Sequence, residues 1–266
     1  MQPNSEMNQF LRNKRLSTVI GIAVIFVLYF VAAFVTNFKM NVAVMSFPKA
    51  ANWIAKYMIP DAQAIERLPR IIEKLTETIL VSVAATTIAA VFAFIASIFG
   101  SASTKLPKFV NTIVRVIAAF FRNVPDVVWA MILMFSFGQN LLTGFFALFF
   151  STFGMLTRRF IETIDETSKE SIEALTACGA SFPMIVFQGI LPSSISGIIT
   201  WILYMIETNI RSSTLIGMLT ATGIGNLFNI YYNRMQFGSA SLIIVLICVI
   251  VILIDNLSTI IRRAIN

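Results

Sequence analysis

Two pairs of opposite charges lie beside or within apolar parts of this 266-residue chain. Arg122 and Asp126 are four residues apart, and Glu207 and Arg211 repeat that spacing. On a helix this spacing brings the two side chains of a pair together, so each pair can neutralise itself. Ionisable side chains are costly in apolar surroundings and usually face a protein interior or an aqueous cavity. The pairs therefore either stabilise helix packing or line a path, where an arginine fork would suit an oxyanion.

Other kinds of chemistry have little support in the sequence. The chain has no histidine, which removes the commonest general base and zinc ligand, and its two cysteines are Cys178 and Cys248. The glycines in GMLTATGIG do not match GxGxxG, and GxxxxGK[ST] occurs nowhere. We therefore expect no metal, no cofactor, no bound nucleotide and no catalysis in this chain.

A mostly polar segment at residues 158–192 interrupts the apolar sequence. Glu173 and Ala174 belong to a short helical pattern, Gly179 follows six residues after the glutamate, and Leu191-Pro192 ends the segment. Glycine permits a turn that a side chain would strain. Pro192 can begin a returning helix, because its missing N–H would have no partner there. The pattern predicts a helix–turn–helix that presents acidic charge to a partner, and an ordinary solvated loop is the alternative.

The composition places these features in a membrane protein. Hydrophobic residues make up 57% of the chain and charged residues 12%, whereas a soluble domain carries about 25% charged residues. The formal charge of +7 is spread along the chain, without the basic, aromatic-rich block that nucleic-acid binding would favour. The composition therefore predicts an all-α protein of the cell membrane that binds no nucleic acid.

About six apolar runs could cross a bilayer. They are residues 16–38, 75–100, 124–137, 141–156, 195–206 and 239–261. We divide the chain into residues 1–74, with an amino-terminal tail, a first span and a long extracytoplasmic loop, and residues 75–266, the core. The stretch 215–229 is too broken for a simple helix, so Gly217, Gly223 and Gly225 could form a constriction or gate, or only a flexible loop.

The distribution of Lys and Arg indicates how the chain is oriented. With both termini in the cytoplasm, eleven of these residues lie inside and eight lie outside or near the outer face. The eleven are Arg12, Lys14, Arg15, Lys105, Lys108, Arg115, Arg158, Arg159, Lys169, Arg262 and Arg263. This orientation also places the polar segment in the cytoplasm.

Four stretches carry a resemblance to a known family. EALTACGASFPMIVFQGILP at 173–192, RNVPDVVW at 122–129, GFFAL at 144–148 and ETNIRSSTLIG at 207–217 resemble the phosphonate-type permeases of ABC importers. The resemblance runs from about Glu77 to the carboxyl end. It implies the type I ABC importer permease fold with a cytoplasmic coupling helix. Thr220 and Thr222 depart from the family pattern, in which glycine or alanine is commoner.

The resemblance also implies partners and cargo. It implies a homodimer around a translocation path, an ABC ATPase subunit that binds ATP and Mg, and an extracytoplasmic substrate-binding protein. The implied cargo is a phosphonate or a phosphite-like oxyanion. The residues implied to contact the ATPase are Glu173, Ala174, Gly179, Leu191 and Pro192. The residues expected to line the path are Arg122, Asp126, Glu207 and Arg211.

Three alternatives stay open at this point. The same class of permease could carry a thiamine-related compound or an amino acid such as methionine. A stand-alone secondary transporter or channel would need no ATPase, and the 173–192 pattern argues against it. A membrane enzyme would need clusters of acidic, histidine or serine residues at the membrane face, and the chain has no histidine.

Overall fold

The computed structural model describes residues 4–104 and 106–265, with side chains from residue 11 onward. Lys105, which we counted among the cytoplasmic basic residues, lies outside the described residues. The described chain consists of two units, one ending at Tyr57 and one beginning at Met58. The division at residues 74 and 75 stays a prediction.

The first unit contains two helices, α1 (Asn4–Val35) and α2 (Met40–Tyr57). The apolar part of α1, Leu11–Val35, is long enough to span a membrane, and none of its most apolar window is buried within the chain. In α2 the rings of Trp53 and Tyr57 lie 5.7 Å apart, and such residues favour the membrane–water interface. The predicted interfacial loop after the first span is therefore largely helical.

The second unit positions the candidate site. Its helices in the described residues are α3 (Ala62–Glu66), α4 (Leu68–Gly100), α5 (Lys108–Asn123), α6 (Asp126–Phe137), α7 (Leu141–Thr167), α8 (Lys169–Ala177), α9 (Phe182–Thr220), α10 (Gly223–Asn233) and α11 (Phe237–Ile265).

The predicted spans correspond to long helices in five cases. By length and composition α1, α4, α7, α9 and α11 can each cross a membrane. Helix α4 begins at Leu68 rather than at Leu75, with Pro69 in its first turn. Between α6 and α7, Gly138 has φ +74° and the Asn140 side chain accepts a hydrogen bond from the Thr143 N–H. The tight turn expected at 138–140 is therefore confirmed.

The predicted span 124–137 is wrong as a single crossing. Helix α6 has 12 residues, about 18 Å at 1.5 Å per residue, whereas the hydrocarbon core is about 30 Å thick. It joins α5 at a bend of 88°, and only the two helices together make a sixth candidate span. The bend lies at Val124-Pro125, because proline disfavours helical geometry in the residue before it.

Small and hydroxyl-bearing side chains let the long helices of the second unit pack closely. Ala85, Ala89, Ala90 and Ala93 of α4 are buried, as predicted for an inner helix, although Ala84 is exposed. At the centre, the Asn209 amide of α9 donates to Thr86 Oγ1 at 2.8 Å and to Thr152 Oγ1 at 2.7 Å. These bonds join α9 to α4 and α7 in surroundings where side-chain hydrogen bonds hold helices together.

Gly154 allows α5 to reach the middle of α7. A Cβ atom at Gly154 would collide with the backbone nitrogen of Arg122 and would lie 2.8 Å from the carbonyl carbon of Phe121. Gly154 is thirteen residues from each end of α7. The backbone at Arg122 therefore packs halfway along a membrane-spanning helix.

We expect Gly154→Ala to destabilise the second unit, because backbone atoms cannot rotate away as a side chain can. Overpacking of this kind costs about 1–3 kcal/mol. The thermal unfolding temperature of the detergent-solubilised protein should fall. The matched control is Gly21→Ala in α1, where no atom lies within 4 Å of the added Cβ. An equal fall in both variants would contradict the packing argument.

Candidate functional site

The pair Glu207–Arg211 forms on α9 as the spacing predicted. Arg211 Nη1 lies 2.9 Å from Glu207 Oε1, and the side chains are 49% and 12% exposed, respectively. Asn209 lies between them and holds this part of α9 to α4 and α7. The charge of Arg211 is therefore neutralised within its own helix.

Arg122 and Asp126 do not form the second predicted pair. Arg122 belongs to α5, Asp126 begins α6, and no ion pair joins them in the described parts of the chain. The Asp126 carboxylate instead accepts a hydrogen bond from the Val127 N–H at 3.0 Å. The predicted ion pair is therefore wrong, because the helix does not continue from Arg122 to Asp126.

In the described residues Arg122 forms no ion pair, and its side chain is half-buried. Its Nε is buried and has no hydrogen-bond partner. The preceding residue, Phe121, stacks on Trp129 at 5.4 Å and on Phe150 at 5.3 Å between ring centroids. In surroundings of low polarity an unpaired polar group is costly. Arg158, which we expect in the cytoplasm, follows Gly154 by four residues, so Arg122 lies toward the cytoplasmic end of the apolar part of α7. A cation in this position is suited to an anion.

Helix α9 and helix α10 meet at the predicted glycine-rich break. Ala221 has φ 55° and ends α9. A Cβ at Gly217 would lie 2.6 Å from the Thr222 carbonyl oxygen, and one at Gly225 would collide with the carbonyl oxygen of Thr214. These two glycines therefore serve close backbone packing rather than a loose loop.

Gly223 lies at the same break with φ +57°, and a Cβ there would collide with Thr78 of α4. Its N–H donates to Glu77 Oε1 at 3.2 Å, and the Ile224 N–H donates to Thr78 Oγ1 at 2.8 Å. Two residues of α4 therefore satisfy N–H groups at the start of α10. Whether this junction gates a path stays a prediction.

The polar hairpin, which we define as residues 169–192, contains α8, a turn and the start of α9. Gly179 has φ +75°. Its N–H donates to the Thr176 carbonyl, and the Ala180 N–H donates to the Leu175 carbonyl at 3.0 Å. This is a Schellman ending, which favours glycine in the left-handed conformation. The helix–glycine–helix geometry predicted here is therefore confirmed.

The returning helix begins earlier than predicted. It starts at Phe182, passes through a π-helical stretch at Ile185–Ile190 and becomes regular at Leu191–Thr220. Pro192 lies in the first turn of that regular part, as expected. The Leu191 N–H donates to the Val186 carbonyl, five residues back. The wider turn accommodates the proline, which lacks an N–H and would crowd the carbonyl four residues before it.

The hairpin is anchored on one side and exposed on the other. Ile172 is 2% exposed and packs in a cluster with Ile164 of α7 and Ile98 of α4. Glu173, Ala174 and Gly179 are exposed. Pro192, at the base of the hairpin, is also exposed, and Leu191 is half-buried. Four of the five residues expected to contact an ATPase are therefore accessible.

Sequence reasoning missed an ionic junction beside this hairpin. Asp165 near the end of α7 binds Arg115 of α5 at 2.9 Å and Ser101, which follows α4, at 2.5 Å. Asp165 is fifty positions from Arg115 and sixty-four from Ser101 along the chain, so no local spacing signals the contact. The mixed charge of residues 158–169 was the only available sign.

We expect Arg211→Gln alone to reduce assembly of the folded protein, because Glu207 would keep a largely buried charge without its partner. The double variant Glu207→Gln with Arg211→Gln should recover most of the loss. The yield and thermal unfolding temperature of solubilised protein measure both. Loss of cargo transport at full yield in Arg211→Gln would instead give this arginine a direct role in the path.

Comparisons with known proteins agree with this architecture. A family model described as "binding-protein-dependent transport system inner membrane component" matches residues 93–266. The phosphite transport system permease protein PtxC of Stutzerimonas stutzeri is 28% identical over 216 residues, which cover 81% of this chain and 78% of PtxC.

Two further relatives have related names. The cryptic phosphonate transport system permease protein PhnE2 of Escherichia coli K12 is 34% identical over 117 residues, covering 44% of this chain and 96% of PhnE2. The phosphate-import permease protein PhnE of Mycolicibacterium smegmatis is 27% identical over 187 residues, covering 70% of this chain and 35% of PhnE.

Solved structures show the same fold. A chain of an amino acid ABC transporter crystallised with histidines superposes with a TM-score of 0.64 at 16% identity, covering 75% of this chain and 96% of that one. A chain of the MetNI methionine ABC transporter gives 0.61 at 20% identity, covering 74% and 96%. The fold is that of a type I ABC importer permease. The chain belongs to the family of binding-protein-dependent transport system inner membrane components.

Proposed function

We propose that this permease subunit imports phosphite, phosphonate or a similar phosphorus oxyanion across the cell membrane. The observation that carries the proposal is Arg122, a cation with a buried Nε that forms no ion pair in the described residues and whose backbone packs on Gly154 of α7. An arginine fork matches the oxygens of such an anion in geometry and charge. The names of PtxC and PhnE2 support the same class of cargo.

Arg122, Asp126, Glu207 and Arg211 are proposed to line the path. Since Arg211 is paired with Glu207 and Asp126 is bound to its own helix start, Arg122 has the largest role in attracting the anion. Gly217, Gly223 and Gly225 are proposed to hold a constriction at the junction of α9 and α10. Their close packing supports a rigid constriction over a flexible loop.

We propose the following division of labour, which membership of the family supports. An ABC ATPase subunit is proposed to bind ATP and Mg and to dock on the exposed side of the polar hairpin, at Glu173, Ala174 and Gly179. A substrate-binding protein delivers the cargo from outside, and two copies of this chain surround the path. Both termini lie in the cytoplasm. This chain itself hydrolyses no ATP and carries no cofactor.

An organic solute is the second candidate cargo. The structural neighbours belong to amino acid and methionine transporters. Cargo selectivity also depends largely on a binding protein outside this chain. An amino acid or thiamine-related compound carries its own positive group, however, and the unpaired charge of Arg122 favours a simple anion.

Uptake of labelled phosphonate tests the proposal. Cells with and without this chain would be starved of phosphate, with unlabelled phosphite, phosphate, methionine and thiamine as competitors. We expect uptake to depend on the chain and to be reduced by phosphite but not by methionine or thiamine. Uptake that is unchanged by deletion would reject the cargo, and competition by methionine would favour the second candidate.

A further inference from the structure

Asp165, near the carboxyl end of α7, joins three segments of the second unit through one carboxylate. Its Oδ1 accepts hydrogen bonds from Ser101 Oγ at 2.5 Å and from the Ser103 N–H at 3.1 Å. Its Oδ2 accepts from Arg115 Nη2 at 2.9 Å. The α4–α5 connection, α5 and α7 are therefore fastened at a single residue. We name Asp165, Arg115, Ser101 and Ser103 the carboxylate junction.

Further contacts tie the end of α4 to α5 and α7 at the carboxylate junction. Arg115 Nε also donates to the Gly100 carbonyl at 2.9 Å. A Cβ at Gly100 would lie 2.5 Å from Ile161 Cδ1, so the end of α4 is pressed against α7. The Asn111 amide of α5 donates to the Ser101 carbonyl. Arg115 and Asp165 are 48% and 26% exposed, so their ion pair alone contributes little. The segments are held by these hydrogen bonds acting together.

The polar hairpin packs against residues next to this junction. Ile172 of α8 packs with Ile164, the neighbour of Asp165 in the chain, and with Ile98 near the end of α4. Ser168 Oγ lies 2.7 Å from Ser193 Oγ, which ties the two arms of the hairpin together at its base. The base of the hairpin is therefore in contact with the neighbours of Asp165.

From the junction, α5 leads to the candidate anion site. Arg115 and Arg122 are seven residues apart, which places them on one face of α5 about 10 Å apart along its axis. The far end of α5 packs on Gly154 at the middle of α7. Helix α5 is therefore a short rigid connection between the carboxylate junction and Arg122.

We propose that Asp165 is a positioning residue that transmits movement of the polar hairpin through Arg115 and α5 to Arg122. This inference deepens the proposed function and rests on it. Asp165 touches no cargo and acts through Arg115. Without its charge, the hairpin would still bind an ATPase, but α5 would no longer follow its movement.

The test uses the permease assembled with its ATPase, in a Cys178→Ser, Cys248→Ser background with Asn123→Cys beside Arg122. The rate at which a maleimide labels position 123, an exposed site, is measured with and without ATP. We expect ATP to change this rate at least threefold with Asp165 in place, and less than 1.5-fold in Asp165→Asn. The amount of co-purified ATPase should stay the same.

Glu162→Gln is the matched control, because Glu162 is also a carboxylate of α7 and its ion pairs among the described residues are with Arg158 and Arg159 of the same helix. It should keep the ATP-dependent change. Arg115→Gln should lose it, and the Asp165→Asn, Arg115→Gln double variant should lose no more than either alone, as expected for one interaction.

The inference is overturned if Asp165→Asn keeps the ATP-dependent change, or if Glu162→Gln loses it to the same extent. If Asp165 had a purely structural role, Asp165→Asn would instead lower the amount of assembled complex and the labelling signal by the same proportion. The labelling measurement needs no cargo. Absence of oxyanion uptake by the unmodified protein would therefore reject the proposed function while labelling still decides the role of Asp165.

Discussion

Replacing Gly179 with tryptophan should abolish ATP-driven uptake while the protein still inserts and folds. The left-handed backbone at φ +75° costs a residue with a Cβ about 1–2 kcal/mol, which a folded membrane protein can tolerate. No atom lies within 4 Å of the added Cβ, so the indole would project from the exposed side of the hairpin, where the ATPase is proposed to dock. Uptake and co-purified ATPase are the measurements.

Gly138 provides the matched control for this variant. It has φ +74°, no atom within 4 Å of an added Cβ, and an exposed position between α6 and α7. Gly138 also has ψ −172°, a conformation nearly restricted to glycine. Gly138→Trp therefore carries at least as much backbone strain away from the hairpin, and it should keep ATPase binding. Gly179→Asn tolerates the left-handed backbone and is small, so it should keep most of the uptake. Equal loss of ATPase binding at both positions would attribute the effect to strain alone.

Replacing Arg122 with glutamine should lower the rate of oxyanion uptake about 10- to 100-fold, since a hydrogen bond to a charged group contributes about 1.5–3 kcal/mol. Assembly should be unaffected or improved, because the substitution removes an unpaired cation whose Nε is buried. Arg122→Lys should retain part of the uptake, because it keeps the charge and loses the planar fork. Initial uptake rates over a range of phosphite concentrations measure the effect.

The control for Arg122 is Arg158→Gln. Arg158 is 53% exposed and pairs with Glu162 on the same helix, and exposed pairs of this kind contribute about 0–1 kcal/mol. It should leave uptake within about twofold of the unmodified protein. If Arg122→Gln transports normally, or if Arg158→Gln is equally impaired, then Arg122 does not bind the cargo in the path.

The hairpin and most spans were predictable because their signals are local. Gly179 falls where a Schellman ending needs a left-handed residue, and the apolar length of α4 and α11 is visible in the sequence. The turn at 138–140 was equally local, since Gly138 and Asn140 each have a defined role there.

The bend beside Arg122 was missed although a signal existed. Val124-Pro125 disfavours a continuous helix, but the run 124–137 was interpreted by its apolar content alone. Helix α5 was missed as part of a span because Lys108, Arg115 and Arg122 recur at seven-residue intervals along one face, which lowers the average hydrophobicity of the segment.

Long-range contacts could not be predicted from one sequence. Asn209 was read only as part of ETNIRSS, and its bonds to Thr86 and Thr152 depend on how three helices cross. Asp165 and Arg115 are likewise brought together by packing at Gly100. Spacing predicts which side chains share a helix face, and it says nothing about which helix lies opposite.

The most direct measurement is phosphite accumulation in proteoliposomes that contain this chain with its ATPase and binding protein. We expect accumulation to require ATP on the side of the bilayer that carries the ATPase. Accumulation should stop in Gly179→Trp and fall at least tenfold in Arg122→Gln. Phosphite that accumulates equally without ATP, or that fails to accumulate while methionine is taken up, would contradict it.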